Sequence, residues 1–241
     1  MNSNKTVGIT GGSGALGTSL ISIFRSKGYK TIGFTHSKCP ENIKENEPNE
    51  WIYWECGKEF LLEESLKNID ILILNHGIYS ANTGNNDYEN SIEINALSKL
   101  RILNIFEKIS LLKNDPKNAR EIWINTSEAE ILPALSPSYE ISKLLIGQLV
   151  SFKKHLLTRS DSKKLIFKKI IIGPFKSELN PIGIMSPKLV AFLIYYMAKL
   201  NSFLIIISPN PLTYILFPLK EIYYSLYCAI LKLLKQIKFF N

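Results

Sequence analysis

Short apolar runs alternate with amphipathic, helix-like segments along most of this 241-residue chain. The runs that we interpret as buried strands cover residues 6–10, 31–35, 51–54, 69–74, 121–125, 167–172 and 203–207. The clearest helical periods between them cover residues 15–27, 92–109 and 138–157. Strands that alternate with helices are typical of βαβ units, so the pattern predicts a single α/β domain with a doubly wound parallel sheet.

The end of the chain has a different pattern. From residue 219 to residue 240, apolar side chains recur with a helical period, and Lys232, Lys235 and Lys238 lie on or beside the polar side. A basic amphipathic helix is typical of membrane-surface binding or of packing against a partner subunit. We therefore predict a domain over 1–211 and a helical tail over 212–241. Prolines interrupt the longest uncharged run, which argues against a membrane-spanning helix.

Composition excludes several classes of protein. With 46% hydrophobic residues, the chain is too apolar to be intrinsically disordered. Its three cysteines lie far apart and its three histidines are scattered, so we predict neither a disulfide framework nor a metal site. The chain leads directly into a predicted strand, so we expect no secretory signal peptide and a cytoplasmic location.

Charge is distributed unevenly along the chain. Residues 1–150 carry a net charge of −3 and residues 151–241 a net charge of +11. Such asymmetry indicates a nucleic-acid face or a membrane face, although general lysine enrichment would also produce it. The lysine-rich segment 153–169 lacks interleaved aromatic residues for base stacking, so we predict no nucleic-acid partner. We expect this segment and the tail to contact an anionic membrane surface.

A glycine-rich turn follows the first predicted strand and opens the first predicted helix. Glycines let the backbone turn tightly and approach a pyrophosphate, which the helix N-terminus then binds. The position of the motif at the first strand–helix junction therefore predicts a dinucleotide site. The residues expected to contact the cofactor here are Gly11, Ser13, Gly14, Ala15, Leu16 and Gly17.

The second predicted strand is followed by His36, Ser37 and Lys38. An acidic residue at this position would accept a hydrogen bond from the ribose 2′-hydroxyl of NAD, and none is present. These three side chains could instead donate to a 2′-phosphate. We therefore predict NADP(H) as the cofactor, with NAD(H) as the alternative.

Tyr139 and Lys143 are spaced four residues apart in a predicted helix, so both side chains lie on one helix face. A cation beside a phenol favours the phenolate, which can exchange a proton with a carbonyl or alcohol oxygen. The pair is therefore a candidate for acid–base catalysis.

Together with further motifs, this order and spacing resembles the short-chain dehydrogenase/reductase family over about residues 5–210. The further motifs are Leu74-Asn75-His76-Gly77, Asn95, Ser127 and Gly173-Pro174-Phe175-Lys176-Ser177. Segments 125–139, 173–185 and 210–214 are also similar to a cyanobacterial group of this family that is associated with a sterol desaturase/fatty-acid hydroxylase domain. The histidine-rich motifs of such a hydroxylase do not occur in this sequence.

The resemblance implies a Rossmann-like domain and a role for each matching catalytic residue. Tyr139 would be the general acid/base, and Lys143 would support it and bind the nicotinamide ribose. Ser127 would orient the substrate oxygen, and Asn95 would hold a water that extends the proton relay.

The resemblance also implies cofactor contacts beyond the glycine-rich turn, at Asn75, Gly77, Gly173 and Ser177. Asn75 and Gly77 would close over the adenine ribose, and Ser177 would contact the nicotinamide carboxamide. His76 departs from the family pattern, because a small residue is usual there.

The substrate end offers fewer signals. Leu179, Ile182, Ile184 and Met185 could line an apolar pocket suited to a lipid or isoprenoid carbonyl, although such residues also form ordinary core. Two acidic residues follow Ser127, and they are either contacts to a polar substrate group or solvated loop carboxylates. They are Glu128 and Glu130.

These features predict an NADP(H)-dependent carbonyl reductase or alcohol dehydrogenase that acts on an apolar or lipid-like small molecule. One alternative is an epimerase or dehydratase, for which a longer C-terminal substrate domain would be expected. The other is a non-catalytic NADP-binding subunit that supports a membrane lipid hydroxylase. The family resemblance also implies a homo-oligomer.

Overall fold

Seven parallel strands form one sheet in the computed structural model, which describes residues 5–37, 47–80, 84–112, 118–200 and 202–236. The strands are β1 (Thr6–Thr10), β2 (Lys30–Thr35), β3 (Glu50–Tyr53), β4 (Ile71–Leu74), β5 (Arg120–Ser127), β6 (Leu165–Ile172) and β7 (Leu204–Ile207). Their order is β3-β2-β1-β4-β5-β6-β7, so the chain winds outwards from β1 in both directions. The predicted doubly wound α/β fold is confirmed, and each strand lies within two residues of its predicted limits.

Helices cover both faces of this sheet, and each face has its own hydrophobic core. On one face lie α1 (Ala15–Ser26) and α6 (Pro187–Met197). The other face packs against α2 (Glu63–Leu66), α4 (Ser98–Leu112) and α5 (Pro137–Leu156). Most of the strands consist mainly of apolar residues because both of their faces are buried.

The helix predicted over residues 92–109 is interrupted. The helix α3 (Asn85–Ile92) ends first, one wide π-helical turn follows at Glu93–Leu97, and α4 then begins at Ser98. The apolar period continues across the junction, so the sequence pattern does not reveal the wide turn. Such turns are frequent at functional sites, and this one carries the candidate residue Asn95.

The predicted C-terminal helix is α7 (Thr213–Gln236), and it packs on α5 and β7. The side chains that it buries are Thr213, Phe217, Glu221, Tyr224 and Cys228. Most of the apolar positions of the sequence period that lie within the described part of α7 are exposed instead, at 219, 222, 223, 226, 230 and 233. Within the described ranges, no helix combines the length and apolarity that crossing a membrane requires.

A buried ion cluster attaches α7 to the sheet. The Lys169 ammonium on β6 lies 2.8 Å from Glu130 and 2.9 Å from Glu221 of α7, and Lys220 of α7 lies 3.1 Å from Glu130. Burial alone would raise the pKa of Glu221, but His155, 3.4 Å away, and Lys169 outweigh it and lower this pKa to about 2. Both sequence interpretations of Glu130 are therefore wrong, because it is buried and paired with internal cations.

Several lysines of the segment 153–169 are engaged inside the fold, whereas Arg159 and Lys163 are exposed, and contact of this segment with a membrane stays a prediction. Lys153 forms an ion pair with a glutamate of α4, and Lys164 and Lys168 donate to backbone carbonyls at 2.8 and 3.2 Å. Lys169 is fully buried. Much of the positive charge of this segment is therefore engaged inside the fold.

We expect Glu221→Gln to lower the free energy of unfolding at neutral pH by about 3 kcal/mol, because it leaves Lys169 with one fewer carboxylate. The Glu221 carboxyl is ionised in the folded protein down to about pH 2, against about 4.5 in the unfolded chain. The difference between parent and variant is therefore full above about pH 4.5 and shrinks as the pH falls towards 2. Urea unfolding at several pH values measures it.

The matched control is Glu89→Gln, which changes an exposed carboxylate of α3. Equal stability losses in the two variants, or a Glu221→Gln difference that persists at low pH, would contradict the proposed contribution of the cluster.

Candidate active site

The glycine-rich turn between β1 and α1 has a geometry that side chains would obstruct. Gly11 has φ +63°, and a Cβ there would approach the His76 Cα to 2.8 Å. A Cβ on Gly17 would overlap the Gly11 carbonyl oxygen. Gly14 caps α1 and has no side chain to cover the first N–H groups of the helix. The turn thus leaves backbone donors open at the carboxyl end of β1, as binding of a pyrophosphate requires.

The end of β2 lies against this turn. Ser13 Oγ is 2.9 Å from Thr35 Oγ1, and the Ser37 N–H donates to the same Thr35 oxygen at 3.0 Å. His36 and Ser37 are exposed beside it, so the structure places both predicted phosphate contacts next to the glycine-rich turn. Lys38 lies outside the described residues.

The end of β4 is fixed to β1 by one hydroxyl group. Thr10 Oγ1 accepts the Asn75 N–H at 2.9 Å and lies 2.8 Å from His76 Nδ1. Burial, followed by the charges of Lys99 and Lys143, lowers the pKa of His76 well below its usual value, so this imidazole is neutral at physiological pH. His76 supports the underside of the glycine-rich turn, and its ring packs against Trp54.

The helix α5 presents the candidate acid–base pair. Ser136 caps this helix by accepting the Tyr139 N–H at 3.3 Å, which fixes the first turn. Lys143, one turn later, is buried, and its ammonium lies 5.1 Å from the centre of the Tyr139 ring. Tyr139 and Lys143 therefore share one helix face, as the sequence predicts, and their phenol and ammonium groups lie close together.

Asn95 lies behind this pair and is fully buried. Its amide Nδ2 donates to the Ile78 carbonyl at 3.0 Å and to Ser142 Oγ at 2.9 Å, and its Oδ1 accepts the Ile78 N–H at 2.8 Å. A Cβ on Gly77 would lie 2.7 Å from Asn95 Oδ1 and 3.5 Å from the Lys143 ammonium. Asn95 thus joins the end of β4 to α5, and the expected water stays a prediction.

Sequence reasoning missed a second buried lysine beneath the site. Lys99, one helical turn after Asn95, donates to the Asn125 carbonyl at 2.9 Å, and burial, followed by the charge of Lys143, lowers its pKa well below the usual value. The Asn125 amide donates to Asn75 Oδ1 at 2.9 Å. The four-residue spacing from Asn95 was the available signal, because it places both residues on one face of the helix.

The strands β5 and β6 supply the opposite side of the site. Ser127, the last residue of β5, accepts the Ala129 N–H at 3.2 Å. Gly173 follows β6, where a Cβ would approach Ser208 Oγ to 2.9 Å. Ser177 Oγ accepts the Asn180 N–H at 3.2 Å and so shapes the loop that follows.

A cavity of about 610 Å³ brings many of the predicted residues together. The predicted residues in its lining are Leu16, Asn75, Gly77, Ser127, Tyr139, Lys143, Gly173 and Ser177. The remaining predicted cofactor and catalytic residues that the structure describes lie in the glycine-rich turn, at the end of β2, or behind the lining at Asn95.

The outer part of the cavity is apolar. Leu179 and Ile182 line it as expected, whereas Ile184 is exposed and lies outside the lining, and Met185 belongs to the core beside α6. Sequence reasoning missed the segment 132–135 and Tyr79, whose ring centre lies 5.4 Å from that of Tyr139.

Glu128 also lines the cavity, but its carboxylate is already engaged. It accepts hydrogen bonds from the hydroxyls of Ser208 and Thr213 and so connects the loop after Ser127 to the start of α7. The interpretation of Glu128 as a solvated loop carboxylate is therefore wrong.

Known proteins share both sequence and fold with this chain. Residues 7–144 match the NAD dependent epimerase/dehydratase family. The monoglucosyldiacylglycerol epimerase of Synechocystis sp. (strain ATCC 27184 / PCC 6803 / Kazusa) is 38% identical over 230 residues, which are 92% of this chain and 54% of that protein. The chain therefore spans about half the length of this relative.

Two solved structures illustrate the shared fold. A short-chain dehydrogenase from Sphingobium yanoikuyae in complex with NADPH has a TM-score of 0.74 at 14% identity, with 92% of this chain and 95% of that chain covered. The 3-ketoacyl-(acyl-carrier-protein) reductase from Brucella melitensis complexed with NADH has a TM-score of 0.70 at 15% identity, with 86% and 97% covered.

The expected resemblance to short-chain dehydrogenases/reductases is thereby confirmed, and the family whose model matches is described as NAD dependent. With a family match over more than half of its length and a dinucleotide-type turn at β1, this chain belongs to the NAD dependent epimerase/dehydratase family.

Proposed function

We propose that this chain transfers hydride between a nicotinamide dinucleotide and a secondary alcohol or ketone, with Tyr139 as the acid/base. The observation that carries the proposal is the convergence of Ser127, Tyr139 and Lys143 on one cavity beside the glycine-rich turn. A binding module would not need these three groups together. The catalytic residues are Ser127, Tyr139 and Lys143, and Asn95 supports the helix that carries Tyr139 and Lys143 through its hydrogen bond to Ser142.

The turn at Gly11–Gly17 and the ends of β2, β4 and β6 would hold the dinucleotide. The nicotinamide ring supplies a carbon that accepts or returns a hydride. His36 and Ser37 offer hydrogen-bond donors at the end of β2, where neither described position is acidic. This donor set supports NADP(H) over NAD(H), and Gly173 and Ser177 would hold the nicotinamide end of the cofactor.

Tyr139 moves the proton. As a phenolate beside the Lys143 ammonium, it takes the proton of the substrate hydroxyl while the carbinol hydrogen leaves as hydride. Ser127 holds the substrate oxygen. In the return direction, the phenol gives its proton to the carbonyl oxygen while the carbon receives a hydride.

If the hydride returned to the opposite face of the same carbon, the configuration at that carbon would be inverted with no net consumption of cofactor. Family membership and the Synechocystis epimerase favour this closed cycle, on a sugar carried by a diacylglycerol. The apolar outer part of the cavity supports a lipid-borne substrate. Net carbonyl reduction is the second candidate, and the similarity to the fold of solved dehydrogenases and reductases favours it.

Several expectations stay predictions. They are the division into a domain over 1–211 and a tail over 212–241, the homo-oligomer, and the cytoplasmic location at a membrane periphery. The alternative, a non-catalytic subunit that supports a membrane lipid hydroxylase, would require that the chain binds the dinucleotide without turnover.

The glycine-rich turn can be tested with Gly17→Ala. The added methyl group overlaps the Gly11 carbonyl oxygen, so we expect a stability loss of about 1–3 kcal/mol and loss of NADPH binding. Thermal unfolding and fluorescence titration with NADPH and with NADH measure the two effects. In the control Gly14→Ala, the methyl group stays 3.5 Å from that oxygen, so the fold should keep its stability. Unchanged NADPH affinity in Gly17→Ala would contradict the assignment.

The acid/base role can be tested with Tyr139→Phe, which removes only the hydroxyl group. We expect turnover to fall by about 10²–10⁴-fold, with NADPH affinity largely kept. Tyr79→Phe is the matched control, because Tyr79 lines the same cavity and is expected to keep most of the activity. Full turnover in Tyr139→Phe would refute the role. NADPH binding by the parent, without turnover on any substrate, would instead support the non-catalytic subunit.

Epimerisation and net reduction differ in cofactor balance. With glucosyldiacylglycerol in vesicles and catalytic amounts of NADP⁺ or NAD⁺, we expect an epimer of the headgroup to appear in chromatography without lasting change in nicotinamide absorbance. Stoichiometric loss of NADPH absorbance with a panel of apolar ketones, and no epimer, would select the reductase.

A further inference from the structure

The outward side of α7 carries an unusual density of exposed apolar side chains. Ten large ones, each between 42% and 63% exposed, form what we name the outer face. Its members are Leu212, Tyr214, Ile215, Leu219, Ile222, Tyr223, Leu226, Tyr227, Ile230 and Leu233. Large exposed apolar patches on soluble proteins commonly mark interaction sites, so the outer face is a candidate interaction surface.

The charged side chains within this stretch of α7 do not lie on the outer face. Lys220 and Glu221 point into the buried ion cluster, and Lys232 donates to the Leu157 carbonyl at 2.9 Å. Lys235, beyond the outer face, is exposed. Over its described length, the outer face is therefore uncharged and bordered by a lysine at its C-terminal end.

The outer face continues to the mouth of the active-site cavity. Asn210 lines the cavity, and its Oδ1 accepts the N–H of Leu212, the first member of the outer face, at 3.0 Å. The cavity rim includes Leu135 and Ile182, which are each 91% exposed. The start of the outer face thus lies next to the cavity lining at Asn210.

The inner side of α7 holds this arrangement in place. The Thr213 hydroxyl donates a hydrogen bond to Glu128, and Lys220 forms a salt bridge with Glu130. The loop that follows Ser127 therefore contacts α7 at two points. The outer face cannot turn inwards without breaking buried ion pairs. It is a fixed surface beside the catalytic loop.

We propose that the outer face and the cavity rim together dock on a lipid bilayer, with the cavity mouth against the membrane surface. The substrate class rests on the proposed function, since a lipid-borne headgroup would then enter the cavity directly from the bilayer. Tyrosines suit the headgroup level of a membrane, and the exposed Lys176, Lys188 and Lys235 suit anionic lipid headgroups.

A second copy of the chain is a poorer occupant of this surface. A protein that covered both the outer face and the rim residues Leu135 and Ile182 would also close the cavity mouth. A fluid bilayer covers the same side chains and supplies the substrate at the opening.

The test compares the parent with the triple variant Leu219→Gln, Ile222→Gln and Leu226→Gln in co-sedimentation with vesicles of phosphatidylcholine and phosphatidylglycerol. Burying one aliphatic side chain is worth about a tenfold change in affinity or more, so we expect the triple variant to bind at least about tenfold more weakly. The matched control is Phe60→Gln with Leu61→Gln, which removes two exposed apolar side chains far from α7 in sequence and keeps binding. Vesicles of phosphatidylcholine alone should bind the parent more weakly.

Two outcomes would overturn the proposal. One is equal vesicle binding by parent, triple variant and control. The other is a parent that does not bind vesicles; a dimer that the triple variant loses in size-exclusion chromatography with light scattering would then identify a second copy of the chain as the occupant. NADPH titration of each variant checks that it is folded.

Failure of docking and failure of the proposed chemistry can be told apart. Tyr139→Phe should bind vesicles as the parent does, because Tyr139 is not part of the outer face. Normal vesicle binding combined with full turnover in Tyr139→Phe would refute the chemistry and leave docking intact. Normal turnover of a short-chain substrate by a parent that does not bind vesicles would refute docking and leave the chemistry intact.

Discussion

The ammonium group of Lys169 holds together elements that are distant in the sequence. It lies on β6 and has no exposed surface, and it contacts Glu130 of the loop after β5 and Glu221 of α7. A cation without solvent is costly unless carboxylates pair with it. Burial alone would lower the pKa of Lys169, but the two carboxylates raise it above the usual value, so the cluster stays charged. Sheet, catalytic loop and C-terminal helix are therefore coupled through one buried charge.

The same cluster constrains the reacting groups. Gly147 of α5 gives the Glu130 carboxylate the space that a Cβ would fill, and the Gly147 carbonyl accepts from Lys169 at 3.0 Å. One helical turn earlier, α5 carries Lys143. The loop that begins at Ser127 and the helix that presents the Tyr139 phenol are thus packed against each other by Glu130. In the proposed reaction, the distance between substrate oxygen and phenol depends on this contact.

The sequence was sufficient to predict the sheet, the glycine-rich turn and the pairing of Tyr139 with Lys143, because each depends on local periodicity or spacing. It could not show the cluster around Lys169, since its partners are 39 and 52 residues away along the chain. It also could not show the wide turn at Asn95, which leaves the apolar period unbroken.

The sequence also could not show which side of α7 is buried, because both sides of this helix are rich in apolar residues. Side chains such as Phe217 and Tyr224 are buried, while Leu219 and Leu226 are exposed, and only the positions of Glu221 and Lys220 distinguish the two sides. The charged residues that would ordinarily mark the solvent side of an amphipathic helix mark the inner side here.

This inversion bears on how a hydride could be transferred in a cavity with an open, apolar mouth. The groups proposed to handle the proton lie in the cavity lining, whereas the rim and the outer face of α7 expose apolar side chains. A cavity of about 610 Å³ is within the range for small-molecule sites and is too small for a whole membrane lipid beside a nicotinamide. A headgroup that enters while its acyl chains stay in the bilayer would bring its hydroxyl to Tyr139, and the bilayer would exclude water from the mouth. In that arrangement, the membrane completes the cavity that the protein leaves open.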